Sequence, residues 1–391
     1  MPPNLPELPP LALYLHFPWC VRKCPYCDFN SYPSSGVLPE DAYVTALLAD
    51  LEQALPALGG RRPVSLFLGG GTPSLFSAAT IGRLLEGIHC RLPWQDGAEI
   101  TLEANPGTLD TADFSALRSA GITRLSLGIQ SFDCASLKVL ERIHSADEAR
   151  RAADLASRNF ESFNLDLMYG LPGQSLVQAL ADVDMALSFG PQHLSCYQLT
   201  LEPGTRFAAV PPQDMPDEAL CADMQEAIES RLADAAYRHY ETSAFAQAGQ
   251  QCRHNLNYWQ FGDYLGIGAG AHAKISIGHG IVRQVRWNHP QDYLRHGAAG
   301  TPVHEEHEIA PGDLPLEFMM NALRLNEGFP LGLFAQRTGL PSAQLEPGLR
   351  RAQAQGLLYL NGDRVVPSLL GRRFLNRMLH EWMPGVAEMA G

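Results

Sequence analysis

From about residue 11 to residue 245 the chain repeats one unit: an apolar, β-rich run followed by a stretch with helical spacing. That alternation implies parallel strands joined by helical crossovers. The predicted strands are 11–17, 64–69, 99–103, 124–129, 163–169 and 193–200, and the predicted helices are 40–56, 77–90, 110–120, 133–141, 147–159 and 175–189. Six βα units are too few to close an eight-stranded barrel. An α/β fold with an open, partial (β/α)6 barrel is therefore expected in preference to a doubly wound sheet. Either architecture gathers ligands at the C-terminal strand ends. The chemically distinctive residues fall there: three cysteines after the first strand, GGGTP after the second, Glu103 ending the third, Gln130 after the fourth and Asp166 on the fifth. Five placements on one rim argue for one site.

Beyond the repeat, 202–216 reads as a proline-rich loop and 217–237 as a long helix. The stretch 245–300 is aromatic and Gly-rich and shows no clear period. Helices are predicted at 314–325, 330–338 and 343–355, followed by the hairpin-like LLYLNGDRVVPS with Asn361 and Gly362 in its turn. The expected division is a core at 1–245, a connecting region at 246–312 and a small winged-helix-like domain at 313–391. Net charge argues against one class of partner: 29 basic against 42 acidic residues give −13, which repels a phosphate backbone unless a local basic patch overcomes it. Arg350, Arg351, Arg372 and Arg373 are too few to make the last domain a DNA reader, so no nucleic-acid partner is expected. The N-terminus lacks a basic region ahead of an apolar stretch. No apolar run approaches the ~18 residues of a spanning helix, so a cytoplasmic protein without a transmembrane segment is expected.

Eight cysteines are too sparse for a disulfide scaffold. Cys90, Cys134, Cys196, Cys221 and Cys252 are expected to be small buried hydrophobes. Cys20, Cys24 and Cys27 differ, because the spacing C-x-x-x-C-x-x-C in a loop stiffened by Pro18 and Pro25 lets three thiolates converge on one face. Zinc usually takes four ligands from paired C-x-x-C units, whereas three cysteines leave one iron of a 4Fe–4S cubane open for a small molecule. Glycines at Gly69, Gly70 and Gly71 would let backbone carbonyls approach an ammonium group. Glu103 and Asp166 could accept hydrogen bonds from ribose hydroxyls, and Gln130 and Arg142 could hold a carboxylate.

The cysteine motif, with the aromatic Tyr26 ahead of Cys27, resembles the signature of the radical S-adenosylmethionine (SAM) superfamily. That resemblance implies that SAM chelates the unique iron and is cleaved by a cluster electron to methionine and a 5′-deoxyadenosyl radical. GGGTP resembles the superfamily's GGE-type motif with Thr72 in place of the acid. More widely, YLHFPWCVRKCPYCDFNSY, LFLGGGTPSLF, LTLEANPGTL, RLSLGIQSFD, NLDLMYGLPGQ and YQLTLEPGT resemble blocks of the oxygen-independent coproporphyrinogen III oxidase family. By that resemblance the SAM residues are Tyr14, Tyr26, Gly70, Gly71, Thr72, Glu103, Gln130, Arg142, Asp166 and Thr200.

Two departures separate this chain from the decarboxylating members of that family: Phe29 stands where they carry a fourth cysteine, and about ten residues precede the first strand where they carry several dozen. In their place is His254-Asn255-Leu256-Asn257-Tyr258-Trp259, an HNxxYW motif resembling that of the family's heme-chaperone branch. The implied protein binds heme and passes it to heme-requiring acceptors such as respiratory enzymes, while carrying cluster and SAM. Neutral imidazole is a common axial ligand of heme iron, and Tyr258 and Trp259 offer flat apolar faces. The competing readings are oxidative decarboxylation of coproporphyrinogen III and, more remotely, a nucleic-acid-directed radical enzyme. For the hexapeptide, the alternative is that His254 caps a loop and the aromatics are core.

Overall fold

The computed structural model describes residues 5, 7–34, 36–278 and 280–383. Six parallel strands lie side by side in chain order: β1 (Leu11–Phe17), β2 (Ser65–Gly70), β3 (Glu99–Ala104), β4 (Arg124–Gln130), β5 (Ser162–Tyr169) and β6 (His193–Gln198). Between them run helices α1 (Glu40–Ala54), α2 (Ala78–Arg91), α3 (Thr111–Ser119), α4 (Cys134–Val139), α5 (Ala146–Asn159) and α6 (Leu176–Ser188). This is the expected open α/β arrangement, with element ends within a few residues of those predicted. Ser77 caps α2, and Ser145 with Glu148 and Ser175 with Gln178 form capping boxes on α5 and α6, so the starts are written in local chemistry.

Side chains alternate across each strand, and here the two faces carry different chemistry. One face presents Leu13, Leu15, Leu66, Leu68, Leu102, Leu125, Leu127, Leu165 and Leu194, all buried in the core. The other presents Tyr14, Phe67, Glu103, Arg124, Ser126, Asn164, Asp166, His193 and Ser195, which line a polar lumen.

The segment 246–312, expected as a connecting region, is built largely into the same sheet. Beyond β6 lie the antiparallel β7 (Arg238–Glu241) and β8 (Ala244–Ala246), and on the other side β9 (Asp263–Ile267) pairs parallel with β1. The antiparallel β10 (His272–Ile277), β11 (Gly280–Arg286) and β12 (Val303–Glu308) complete twelve strands. After the long helix α7 (Glu218–Asp234), the short α8 (Arg253–Trp259) packs on β2, and α9 (Pro290–Ala298) packs on α1. Two buried ion clusters fasten this addition. Asp263 accepts from Arg61 Nη1 at 2.6 Å, Lys274 Nζ at 2.8 Å and the Ser276 amide at 2.7 Å. Asp50 pairs with Arg286 at 3.1 Å and accepts from the Tyr293 hydroxyl at 2.9 Å.

The C-terminal part carries α10 (Leu314–Ala322), α11 (Gly332–Thr338) and α12 (Glu346–Ala354), then the hairpin β13 (Leu358–Asn361) and β14 (Arg364–Pro367), with the short strand Phe329–Pro330 against β14. Its own core includes Phe318, Phe329, Phe334 and Val365. Cys196, Cys221 and Cys252 are buried as expected. Cys90 and Cys134 are exposed, which corrects the expectation for those two: both sit at helix ends, where the helical stripe has turned to solvent. Among the described residues no helix is long and apolar enough to cross a membrane.

Lys274 is 2% exposed and depends on Asp263 for its charge partner. Asp263→Ala is expected to destabilise the fold by about 3–5 kcal/mol in urea unfolding, because it strands a buried ammonium. A change below about 1 kcal/mol would show that this cluster is not what fastens β9 to β1.

Candidate cluster, cofactor and ligand site

The three cysteines follow β1 in a loop tied on several sides. The amides of Tyr32 and Ser34 donate to the Pro18 and Cys20 carbonyls at 2.7 and 2.9 Å, and the Phe207 amide donates to the Pro25 carbonyl at 3.0 Å. Asn30 Nδ2 donates to the carbonyls of Ala269 and Asn288 at 3.0 and 2.9 Å. From beneath, His16 Nε2 bonds the Asn30 carbonyl at 2.8 Å, which leaves Nδ1 to accept from the Tyr14 hydroxyl at 3.0 Å. Cys20, Cys24 and Cys27 all line one cleft. Burial pushes the Cys20 thiol up to about 11 and raises Cys27 as well. Thiols so placed become thiolates readily only when a cationic centre takes up their charge. Among the described residues no three His, Cys, Asp or Glu side chains group as they would around a single ion. A cubane makes a different demand, since each cysteine binds a separate iron, and three cysteines lining one cleft meet it.

Against the start of the cysteine loop lies the glycine turn. Gly70 has φ +113°, and a Cβ there would lie 2.5 Å from the His16 ring; at Gly71 it would lie 2.5 Å from the Trp19 carbonyl oxygen. Only glycine brings this backbone so close. The Gly70 amide donates to Glu103 Oε2 at 3.1 Å. Burial, reinforced by the field of Asp166, pushes the Glu103 carboxyl up to about 8. Asp166 is also raised by burial, although Asn164 Nδ2 and Ser126 Oγ donate to it at 2.8 and 3.3 Å. The pair favours uncharged, hydroxyl-bearing company over a further anion.

Gln130 ends β4 at φ +68°, next to an irregularity in the pairing with β5. A non-glycine residue held there costs about 1–3 kcal/mol, and the distortion sets its side chain on the cleft. Arg142 donates to the Gly128 carbonyl at 2.6 Å and the Cys24 sulfur at 3.5 Å, while its Nε is buried without a partner. One donor thus stays open for an anionic group.

Of the SAM residues implied by resemblance, Tyr26, Gly70, Gly71, Thr72, Glu103, Gln130, Arg142 and Asp166 line the cysteine cleft. Tyr14 faces the two adjoining cavities. Thr200 is exposed beyond β6 and does not line the cleft.

Deeper in the lumen, a cavity of about 290 Å³ shares Glu103, Ser126 and Asp166 with the cleft and is closed from the other side by α8. His254, Tyr258 and Trp259 all line it. Glu99 accepts the amides of Arg253 and His254, both at 3.2 Å, and seats the first turn of α8. His254 is stacked on Phe67 with centroids 4.9 Å apart and meets Tyr258 edge-on at 5.0 Å. Its Nδ1 bonds Ser65 Oγ at 3.0 Å, and its Nε2 is buried without a partner. Burial pushes this imidazole down to about 3, so it is neutral at physiological pH. His254 therefore sits inside a helix and not as a loop cap. The motifs did not single out His16, Phe67, Arg124, Asn164 or His193. Strand parity was the available signal for the last four, since each falls on the lumen side once the leucine face is assigned.

Comparison with known proteins bears on the family and the fold. A family model described as the radical SAM superfamily matches residues 14–186, and one described as the HemN C-terminal domain matches 309–374. Two relatives named heme chaperone HemW, from Escherichia coli strain K12 and from Haemophilus influenzae, are each 47% identical, over 95% and 96% of this chain and 98% of their own length. The solved structure of E. coli coproporphyrinogen III oxidase (HemN), a radical SAM enzyme, superposes with a TM-score of 0.81 at 22% identity, covering 96% of this chain and 90% of that one. This likeness shows the fold. Identity at that level along nearly the whole of both bacterial relatives places the chain in the HemW family, a branch of the radical SAM superfamily.

Proposed function

We propose that this protein is a heme chaperone: it binds heme in the lumen cavity, with His254 Nε2 as iron ligand, and delivers it to acceptor proteins such as respiratory enzymes. The observation that carries the reading is the unpartnered Nε2 of a buried, neutral imidazole set among Phe67, Tyr14 and Tyr258. With Nδ1–H donating to Ser65 Oγ, Nε2 presents its lone pair, and a partner on the second nitrogen is what orients a ligating histidine. The near full-length identity to proteins named heme chaperone points the same way.

In this reading Cys20, Cys24 and Cys27 hold a 4Fe–4S cluster and the cleft holds SAM. Bound together, those groups supply a low-potential electron and a reducible sulfonium. The chain's own residues bind and orient. Gly70 and Gly71 would bring backbone up to the amino end of SAM, Arg142 and Gln130 would hold its carboxylate, and the raised carboxyls of Glu103 and Asp166 would meet its ribose hydroxyls. Tyr14, Tyr26 and Thr72 would shape the remaining wall, and exposed Thr200 would reach SAM only across the rim. Phe29 is 58% exposed at the mouth, where a thiol would be needed for a fourth cysteine, and it can offer only apolar contact. Thiolates held for iron must stay reduced, which supports action in the cytoplasm.

Anaerobic reconstitution tests the cluster: Cys20→Ser, Cys24→Ser or Cys27→Ser should each lose the brown chromophore and most of the iron, since a hydroxyl is a poor soft ligand. Cys90→Ser and Cys134→Ser should keep both. A full cluster in the Cys24→Ser protein would overturn the assignment. Heme and coproporphyrinogen III offered in parallel test the function, with heme bound and no protoporphyrinogen formed as the expected result; steady turnover to protoporphyrinogen would favour the oxidase reading. His254→Ala should weaken heme binding by at least about tenfold and shift the Soret band while cluster absorption stays unchanged, because His254 is on α8 and the cysteines are on the loop after β1. The depressed pKa keeps His254 neutral between its unfolded value near 6.5 and about 3, so wild-type heme affinity should hold from pH 8 to pH 5.5. An affinity that halves near pH 6.5 would point to an exposed histidine instead.

A further inference from the structure

Arg124 opens β4 on the lumen side and is 3% exposed. Its Nε is buried without a partner, and no side-chain or backbone acceptor among the described residues hydrogen-bonds or ion-pairs with its guanidinium. This is an unusual state for an arginine, whose five donors are normally satisfied when desolvated.

The surroundings explain why no protein group serves it. Glu99, the nearest acid on β3, directs its oxygens to the amides of Arg253 and His254 and to the Cys252 thiol. Asn164 accepts from His193 Nδ1 at 2.7 Å and Ser195 Oγ at 3.1 Å, and its amide donates to Ser126 Oγ and Asp166, both at 2.8 Å. His193 Nε2 is engaged by the Tyr240 hydroxyl at 2.8 Å. The polar groups of the lower lumen are satisfied by one another and leave the guanidinium facing the cavity. Trp259 Nε1, which lines the same cavity from α8, is likewise buried without a partner.

An arginine's planar fork matches a carboxylate, and aromatic walls with one imidazole suit a flat, metal-bearing ring. We propose that Arg124 anchors a propionate carboxylate of the tetrapyrrole in this cavity, so that the site reads the ligand's acidic edge as well as its iron. This inference rests on the heme reading above. It assigns Arg124 a binding role distinct from the iron bond of His254.

The test compares hemin with hemin dimethyl ester, in which both propionates are masked. Binding is measured by Soret titration on cluster-reconstituted wild type, Arg124→Gln and Arg124→Lys. Wild type should prefer hemin by about tenfold or more, as a charge-assisted hydrogen bond implies. Arg124→Gln should lose that preference by binding hemin more weakly and the ester as wild type does. Arg124→Lys, which keeps the charge without the fork, should recover part of it. Cluster absorbance and ester affinity report that the variants are folded. Equal preference for hemin in Arg124→Gln and wild type would overturn this inference alone. So would equal loss of both ligands in Arg124→Gln and Arg124→Lys, which marks a structural role. If wild type binds neither compound, the heme reading itself fails, and this inference falls with it.

Discussion

One imidazole joins the parts of the site. His16 bonds the Asn30 carbonyl of the cysteine loop through Nε2, takes the Tyr14 hydroxyl on Nδ1, and fills the space that a side chain on Gly70 would need. Burial keeps it neutral, so one nitrogen donates and the other accepts without ambiguity. Loop, glycine turn and lumen wall are therefore set relative to one another by a single side chain. Asn30 extends the tie to the carbonyls of Ala269 and Asn288, which brings the added part of the sheet into register with the cysteines.

The second constraint is parity. Every central strand sends leucines outward to the helices and polar or aromatic residues inward, so one slip of register would exchange core for site. This explains why a sheet otherwise typical of a buried α/β core can enclose Glu103, Asp166, Arg124 and two histidines. The shifts of Glu103, Asp166 and the histidines share one cause, burial in the lumen, whereas the acidic groups around Arg124 outweigh its burial and hold it charged; that same burial makes an unpartnered Nε2 or guanidinium informative. The cysteine cleft and the deeper cavity share Glu103, Ser126 and Asp166 as a common wall, so an occupant of one touches the residues that shape the other.

Much of this was legible in the residues. The six parallel strands, their capped helices and the rim positions of the cysteines, GGGTP, Glu103, Gln130 and Asp166 follow from period and turn chemistry. The stretch 245–300 was not legible, because β9 is a five-residue strand running into Gly266, Gly268 and Gly270, and its place beside β1 is set by long-range pairing and the Asp263 ion cluster. His16 stood in plain view within YLHFPWC, yet its role depends on a contact with Gly70 that no local pattern encodes. Arg124 looked like an ordinary strand terminus; only the closure of its neighbours' hydrogen bonds around it shows that it is left over. Thr200 was carried by motif alone, and it lies where β6 has already run out to solvent.

The central claim is that heme sits inside the barrel beneath the cluster, with its iron on α8. The most direct measurement is an anaerobic crystal structure of the full chain with cluster, SAM and heme loaded together. The account predicts iron at bonding distance from His254 Nε2, with the macrocycle among Phe67, Tyr14 and Tyr258. A heme bound on the outer surface, with His254 still stacked on Phe67 and its Nε2 free, would contradict it.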